Sequence, residues 1–196
     1  MDFGCIILAA GQGKRFGMEK MYYSWHNKML WQNSYNLAKQ FMSDVVVVGL
    51  DIDGGKTRQE SVRSGLRLID NERVIILEIA RPLVSREDIH VIMDINYPSV
   101  TYAVKSEEAV WDSKSNMFLN PKTLSTVKNL QAFDTKLLKE AHNKTSLLDA
   151  PDDTCIMHEV HGIEPHLIEG KLSNLWKLTT EEDIGILDAL CSSSKW

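Results

Sequence analysis

A loop rich in glycine and positive charge follows the first apolar run of the chain. Gly11 and Gly13 carry no side chains, so their backbone N–H groups can approach a ligand closely. Lys14 and Arg15 come next, and Lys20 follows after a short gap. Backbone donors and three cations within one loop are suited to binding a polyphosphate.

This loop departs from two familiar phosphate-binding patterns. The G-x-G-x-x-G fingerprint of dinucleotide-binding folds is absent, and so is the G-x-x-x-x-G-K-[ST] pattern of a Walker A loop. From these residues alone, an ordinary strand-to-loop connection with solvated basic side chains stays open as the alternative.

The elements that must position this loop are predicted by hydrophobic patterning. Three apolar runs are typical of buried strands, namely Cys5–Ala10, Asp44–Gly49 and Arg73–Glu78. A helical pattern over Leu30–Phe41 lies between the first two strands. The capping pattern of Thr57 and Glu60 begins another helix before the third strand.

Strands that alternate with helices favour a parallel sheet with right-handed crossovers. We therefore predict an α/β fold with a Rossmann-like, mostly parallel sheet and helices on both faces. Ligands bind beyond the carboxyl ends of the strands in such sheets. Gly11 and Glu78 both stand at such ends, so we expect them in one site.

The second half of the chain is predicted to add shorter strands and further helices. Ser85 and Asp88 begin a helix, and Val100–Val104 forms a strand. Gly162 ends the helix that starts at Asp152, and Thr179 with Glu182 caps the last helix. The remaining predicted elements are a helix over Phe133–Ala141 and strand-like segments over Pro165–Gly170 and Leu172–Leu178.

The polar stretch of residues 106–130 shows no helical period, although Trp111, Phe118 and Leu119 are scattered through it. A surface loop is one interpretation, but so long a loop is unusual in a compact domain. We predict a protruding hairpin arm that buries these apolar residues against a second subunit of a homodimer.

Length and charge restrict the remaining possibilities. A chain of 196 residues is typical of one domain, predicted here over residues 1–196. The net charge of −5 argues against a general nucleic-acid binder. No apolar run reaches the length of a membrane span, and the chain starts directly with a predicted strand. Unpaired spacing of Cys5, Cys155 and Cys191 favours a cytoplasmic location.

Several motifs occur in the same order as in one enzyme family, so the sequence resembles that family over nearly the whole chain. That family consists of cytidylyltransferases acting on 2-C-methyl-D-erythritol 4-phosphate or ribitol 5-phosphate, within the sugar- and polyol-phosphate nucleotidyltransferases. Besides the L-A-A-G-x-G-x-R-x-G loop and its lysine, the matching residues are Gly54, Gly55, Arg58, Ser61, Val62, Gly65, Leu66, Ala80-Arg81-Pro82, Asp153, Glu159 and Asn174–Thr179.

The chain departs from the family pattern around the expected acceptor. Glu78 stands where the family has Asp, and Leu130 replaces the proline of a T-P-Q motif. Ala103 takes the place of a threonine that the family has before the lysine of its arm. These differences concern the acceptor more than the reaction.

The resemblance implies transfer of CMP from CTP to a polyol or related alcohol phosphate, with release of pyrophosphate. It implies catalytic roles for Arg15, Lys20 and Lys177, and acceptor binding by Glu78 and Arg81. Mg²⁺ is the expected cofactor, with Glu78 as its ligand. The residues expected to contact the nucleotide are Ala9, Ala10, Gly11, Gly13, Gly55 and Ser61.

Two alternatives stay open. The departures at Glu78, Ala103 and Leu130 are compatible with a catalytically weakened homologue that serves as a nucleotide-binding or assembly subunit. Lys56 follows the glycine pair where the family more often has an acid, so a transferase using another nucleotide is the second alternative.

Overall fold

The structure of the protein, a computed structural model, describes residues 1–193. The predicted domain, 1–196, extends three residues beyond this part. The strands are β1 (Phe3–Leu8), β2 (Ser24–Trp25), β3 (Lys28–Met29), β4 (Val45–Val48), β5 (Arg73–Glu78), β6 (Ser99–Lys105), β7 (Val110–Asp112), β8 (Met117–Leu119), β9 (Ser125–Asp134) and β10 (His166–Glu169). The α-helices are α1 (Leu30–Ala38), α2 (Arg58–Leu66), α3 (Arg86–Asp94), α4 (Thr135–Lys144), α5 (Asp153–His161) and α6 (Asp183–Ser193).

A six-stranded sheet of order β10-β6-β9-β5-β1-β4 forms the centre of the fold. β1 pairs in parallel with both β4 and β5, as alternation of strands and helices predicts. β10 runs parallel to β6, whereas β9 is antiparallel to both of its neighbours, β5 and β6. The predicted α/β fold with a mostly parallel sheet is confirmed.

Successive residues of β1 bury opposite faces of the sheet, because side chains alternate along a strand. Cys5 and Ile7 pack in one hydrophobic cluster with buried residues of α1 and α3. Ile6 packs in a second cluster with buried residues of α2, α4 and α5. Helices therefore cover both faces, and the central strands are apolar throughout.

A third cluster places α6 against the loop after β1. Phe16 and Leu30 pack there with Leu178 and Leu187, all of them buried. The indole of Trp25 also donates a hydrogen bond of 2.7 Å to an Asp188 carboxylate oxygen. These contacts bring the end of the described chain next to its beginning. Among the described residues, none of the helices reaches the length and apolar character needed to span a bilayer.

Several predicted caps are present, and others differ. Ser85 and Asp88 form a reciprocal capping box at α3, and Gly162 ends α5 with a left-handed φ of 67°. Thr57 caps α2, although the Glu60 carboxylate accepts from the Lys56 N–H instead of from Thr57. The cap predicted at α6 is wrong, because the Asp183 carboxylate accepts the backbone N–H groups of residues 179 and 180.

The largest difference from the sequence-based expectation is β9. Residues 125–130 belong to this strand and not to the arm, whose hairpin consists of β7 and β8 only. Phe133 is also a strand residue, so α4 begins two residues later, at Thr135. In the segment 172–178, residues 172–175 form a turn and residues 176–178 are irregular, so it contains no strand. β9 escapes pattern analysis because its first half is polar and its second half is buried on both faces.

Truncation of a core leucine tests the packing of α4 on the sheet. Leu138 is completely buried, so Leu138→Ala should lower the free energy of unfolding by about 2–5 kcal/mol. The same change at Leu148, which is 89 % exposed, should alter it by less than about 0.5 kcal/mol. Urea unfolding followed by circular dichroism measures both, and equal losses would contradict the packing described.

Candidate active site

The register of the three parallel strands brings their carboxyl ends level. Leu8, the last residue of β1, lies opposite Val48 of β4 and Glu78 of β5. The loops that follow these strands therefore start at one edge of the sheet. They enclose a cavity of about 650 Å³, a volume suited to a small-molecule ligand.

Ten of the eleven predicted site residues line this cavity, and Arg81 is the exception. The ten are Ala9, Ala10, Gly11, Gly13, Arg15, Lys20, Gly55, Ser61, Glu78 and Lys177. Lys14, Lys56 and Arg58 line it as well. The structure thus brings cations from three separated segments to one cavity, whereas the chemical roles of these residues stay predictions.

Glycine is required at two positions of the cavity wall. One lies where the loops after β1 and β4 meet, and the other lies within the loop after β1. A Cβ on Gly54 would lie 2.2 Å from the Ala10 Cβ, so a side chain would push the loops after β1 and β4 apart. Gly13 has a positive φ of 61°, and a Cβ there would lie 1.7 Å from the Met18 carbonyl oxygen. The glycines set the shape of the cavity wall as well as leaving backbone groups accessible.

Ser61 holds this wall in place through its hydroxyl group. Its oxygen accepts the Gly55 N–H at 3.1 Å, and its proton is donated to the Thr57 carbonyl at 3.0 Å. The hydroxyl thus spans the turn between β4 and α2. The sequence-based expectation of a ribose or base contact by Ser61 has to accommodate these two bonds.

Lys20 and the C-terminal segment hold each other in position. The Lys20 ammonium donates to the Leu178 carbonyl at 2.8 Å, and the Leu178 N–H donates to the Ala80 carbonyl at 2.8 Å. Lys177, next to Leu178, is thereby placed at the cavity. Burial and the neighbouring charges of Lys177 and Arg15 lower the pKa of Lys20. Like charges gathered in this way favour the binding of an anion.

The centre of the polar network is the Glu78 carboxylate, which is buried. Its Oε1 accepts from Arg58 Nε at 3.1 Å and from the Asn129 amide at 2.5 Å. Its Oε2 lies 2.8 Å from the Lys177 ammonium and 3.8 Å from Arg81 Nε. Burial alone would raise the pKa of Glu78, but Lys177, Arg58 and Arg81 shift it below its ordinary value.

Arg81, predicted to bind the acceptor, is buried behind Glu78 and does not line the cavity. Its guanidinium donates to the Leu175 carbonyl. Arg81 therefore supports the segment that carries Lys177. One guanidinium nitrogen is engaged by Leu175 and Nε lies 3.8 Å from Glu78, so the role of Arg81 toward an acceptor stays a prediction.

Mg²⁺ binding by Glu78 does not fit this geometry, because cations already surround its carboxylate. Oε1 accepts from Arg58 and Asn129, and Oε2 lies 2.8 Å from the Lys177 ammonium, which a metal ion there would have to displace. Within residues 1–193, no three His, Cys, Asp or Glu side chains lie close enough together to hold a metal ion. Glu78 is thus a counter-ion for the cations of the site.

A second carboxylate extends the network into the core. Arg58 also donates to Asp153 at 2.7 Å, and the other Asp153 oxygen lies 2.9 Å from His142 Nε2. Burial would raise the pKa of Asp153, but Arg58 and His142 lower it overall. Sequence reasoning matched Arg58 and Asp153 to motifs without relating them, because 95 positions separate the two residues.

Two of the three departures from the family pattern lie in packed positions of the sheet. Leu130 is completely buried in the hydrophobic cluster that covers one face. Ala103 is buried in β6, opposite Val127 of β9 and Glu169 of β10. At Leu130, the change therefore contributes to the core, and it removes no charged group from the cavity.

The fold and the cation-lined cavity define the protein as a nucleotidyltransferase. Residues 29–193 match the family model described as 2-C-methyl-D-erythritol 4-phosphate cytidylyltransferase. The chain therefore belongs to this family, and the resemblance drawn from its motifs is confirmed. It is a cytidylyltransferase, an enzyme that transfers CMP from CTP to an alcohol phosphate.

Individual relatives agree with this assignment. The 2-C-methyl-D-erythritol 4-phosphate cytidylyltransferase of Halalkalibacterium halodurans is 26 % identical, with 100 % of this chain and 99 % of the relative covered. The enzyme of the same name from Clostridium novyi is 33 % identical over 82 % of this chain and 71 % of its own length. The crystal structure of the Thermus thermophilus enzyme shares the fold, with a TM-score of 0.81, 22 % identity and coverage of 98 % of this chain and 100 % of that one.

The buried position of Glu78 predicts a specific dependence of stability on pH. Its folded-state pKa lies below the ordinary 4.5, so its stabilisation is present above about pH 4.5 and is lost as the pH falls through the folded value. Glu78→Gln should lower the free energy of unfolding at neutral pH by about 3–5 kcal/mol, because the surrounding cations lose their counter-ion. It should also weaken the acid dependence of that free energy.

Glu169→Gln is the matched control, since this carboxylate is 76 % exposed and only loosely paired with Lys105 at 3.5 Å. It should change the free energy of unfolding by less than about 1 kcal/mol. Guanidinium unfolding at several values between neutral and acid pH measures both variants. A Glu78→Gln variant as stable as the control at neutral pH would refute the counter-ion role.

Proposed function

We propose that this protein transfers CMP from CTP to 2-C-methyl-D-erythritol 4-phosphate and releases pyrophosphate. The observation that carries the proposal is the meeting of Arg15, Lys20 and Lys177 at one cavity beside the glycine loop. This acceptor is the one named for the relatives, and a member of their family with the same fold is expected to use it.

The proposed reaction needs positioning and charge stabilisation more than proton transfer. A phosphate monoester has its second pKa near ~6, so the acceptor is largely a dianion at neutral pH and needs no general base. One of its oxygens attacks the α-phosphorus of CTP. The bond from that phosphorus to the oxygen bridging to the β-phosphate breaks, and pyrophosphate leaves with the electron pair. Lys177, Lys20 and Arg15 stabilise the charge that develops.

Mg²⁺ belongs to this proposal as a companion of the nucleotide. The ion prefers oxygen ligands, often retains several waters and commonly binds substrate phosphates. Since Glu78 is engaged by cations, we assign the metal to the triphosphate oxygens and water. When bound, it neutralises part of the phosphate charge.

The weakened homologue is the second candidate, because the acceptor region departs from the family pattern at Glu78, Ala103 and Leu130. The burial of Leu130 in the core and the ion pair of Lys177 with Glu78 both speak for an active enzyme. A different nucleotide is a further outcome that the test below separates, since the exposed Lys56 lies at the cavity.

Location and assembly complete the proposal. Cys5, Cys155 and Cys191 are unpaired, which agrees with the reducing cytoplasm as its site of action.

In the arm, Trp111 and Phe118 stack edge to face with centroids 4.9 Å apart, and Phe118 is 71 % exposed. An exposed aromatic pair on a hairpin supports a homodimer in which the arms contact the second subunit.

Activity with defined substrates tests the reaction. CTP should raise the melting temperature more than ATP, GTP or UTP, because ligand binding to the folded state stabilises it. CTP with 2-C-methyl-D-erythritol 4-phosphate should release pyrophosphate, and Lys177→Ala should lower turnover about a hundredfold. Lys171→Ala removes an exposed lysine from the same segment as its control and should act like wild type. Binding of CTP without pyrophosphate release would favour the weakened homologue.

Sedimentation at micromolar concentration tests the homodimer. Wild type should sediment as a dimer, and Phe118→Asp should produce a monomer, because a charge on the arm cannot be buried without a partner. Leu172→Asp places the same charge on another exposed apolar residue and should leave the dimer intact. A monomeric wild type would remove the role given to the arm.

A further inference from the structure

A bulge in β9 places Lys128 close to the cations that surround Glu78. Across β6, Thr101 pairs with Gln131 whereas the next residue, Tyr102, pairs with Lys128. Two residues of β9, Asn129 and Leu130, therefore have no partner on β6. Bulges of this kind turn side chains away from regular alternation and are frequent beside active sites.

The two extra residues of the bulge make different contacts, and together these contacts hold the bulge in place. Leu130 enters the hydrophobic core, and Asn129 donates its amide hydrogen bond of 2.5 Å to Glu78. The Thr101 hydroxyl donates to the Lys128 carbonyl at 3.0 Å. The backbone at Lys128 is thus fixed by contacts on both sides.

The ammonium group of Lys128 is half-buried and uncompensated. Within residues 1–193 it makes no hydrogen bond and no ion pair. Burial, Arg81 and Lys177 lower the pKa of Lys128, so these three cations share one region. Glu78, the carboxylate at the centre of the network, is already shared by Arg58, Arg81 and Lys177. An anionic ligand is the natural partner for the remaining charge.

Lys177 stands between two groups of cations. On one side, Leu178, the residue after Lys177, accepts a hydrogen bond of 2.8 Å from the Lys20 ammonium of the nucleotide loop. On the other side, the Lys177 ammonium lies 2.8 Å from Glu78. Glu78 also accepts from Asn129, the neighbour of Lys128 in the β9 bulge. A reaction that joins two phosphates needs two anion sites with a shared cation between them, since like charges must be brought together.

We propose that Lys128 binds the phosphate group of the acceptor and selects acceptors that carry a dianionic phosphate. This inference rests on the proposed function. It assigns the triphosphate to the nucleotide loop and the acceptor phosphate to the β9 bulge, with Lys177 serving both. Asn129 is a positioning residue, because it fixes the bulge through Glu78.

Steady-state kinetics of Lys128→Met tests the assignment. KM for the acceptor phosphate should rise at least about tenfold, as expected for loss of a charge-assisted contact, while KM for CTP stays within about twofold. Lys128→Arg keeps the charge and should restore most of the acceptor affinity. Lys105→Met, which removes an exposed lysine from the neighbouring β6, should leave both constants unchanged.

The other possible outcomes distinguish a failure of this inference from a failure of the proposed function. An unchanged acceptor KM in Lys128→Met overturns the inference and leaves the proposed function intact. An equal rise in KM for CTP would place Lys128 in the triphosphate site and also overturns it. An inactive wild type refutes the proposed function. Lys128 is then judged by melting temperature alone: a stabilisation by the acceptor phosphate that Lys128→Met abolishes supports the site, and one that it retains refutes it.

Discussion

The active site depends on one buried carboxylate, that of Glu78. Removing an anion from water is costly unless charged partners and hydrogen bonds compensate it. Arg58, Arg81 and Lys177 supply the charge and Asn129 supplies an amide. These four partners come from α2, the loop after β5, the C-terminal segment and β9. One interaction therefore connects parts of the chain that the sheet alone would not join at the cavity.

The same carboxylate offsets part of the positive charge of a site that has to bind anions. Cations lining a cavity repel one another, and burial together with this repulsion lowers the pKa of Lys20. By holding Lys177 at 2.8 Å, Glu78 reduces this cost without occupying the nucleotide loop. The site thus retains positive charge for phosphates and still folds into a stable arrangement. A longer Glu in place of the family's Asp reaches one methylene farther from the end of β5.

The C-terminal segment shows how a residue that is distant in sequence acquires a position at the cavity. Lys20 and Ala80 both bond the backbone of Leu178, and Arg81 bonds that of Leu175. Leu178 is also buried between the nucleotide loop and α6. Lys177 is held by this packing and these backbone bonds as well as by its own ion pair, although it lies far from the loop in sequence.

The sequence by itself determined the parallel half of the sheet, the nucleotide loop and most residues of the cavity. Apolar runs of residues 5–10 and 73–78 carry that information locally, as do glycines and cations spaced along one loop. Only the tertiary structure decided the position of β9, the burial of Arg81 and the place of Lys128 beside the β9 bulge. β9 is stabilised by strands on both sides and contains a bulge, so its pattern is neither alternating nor continuously apolar. The partners of Glu78 are likewise far apart in the chain, and no local spacing can reveal contacts that form only when the strands have paired.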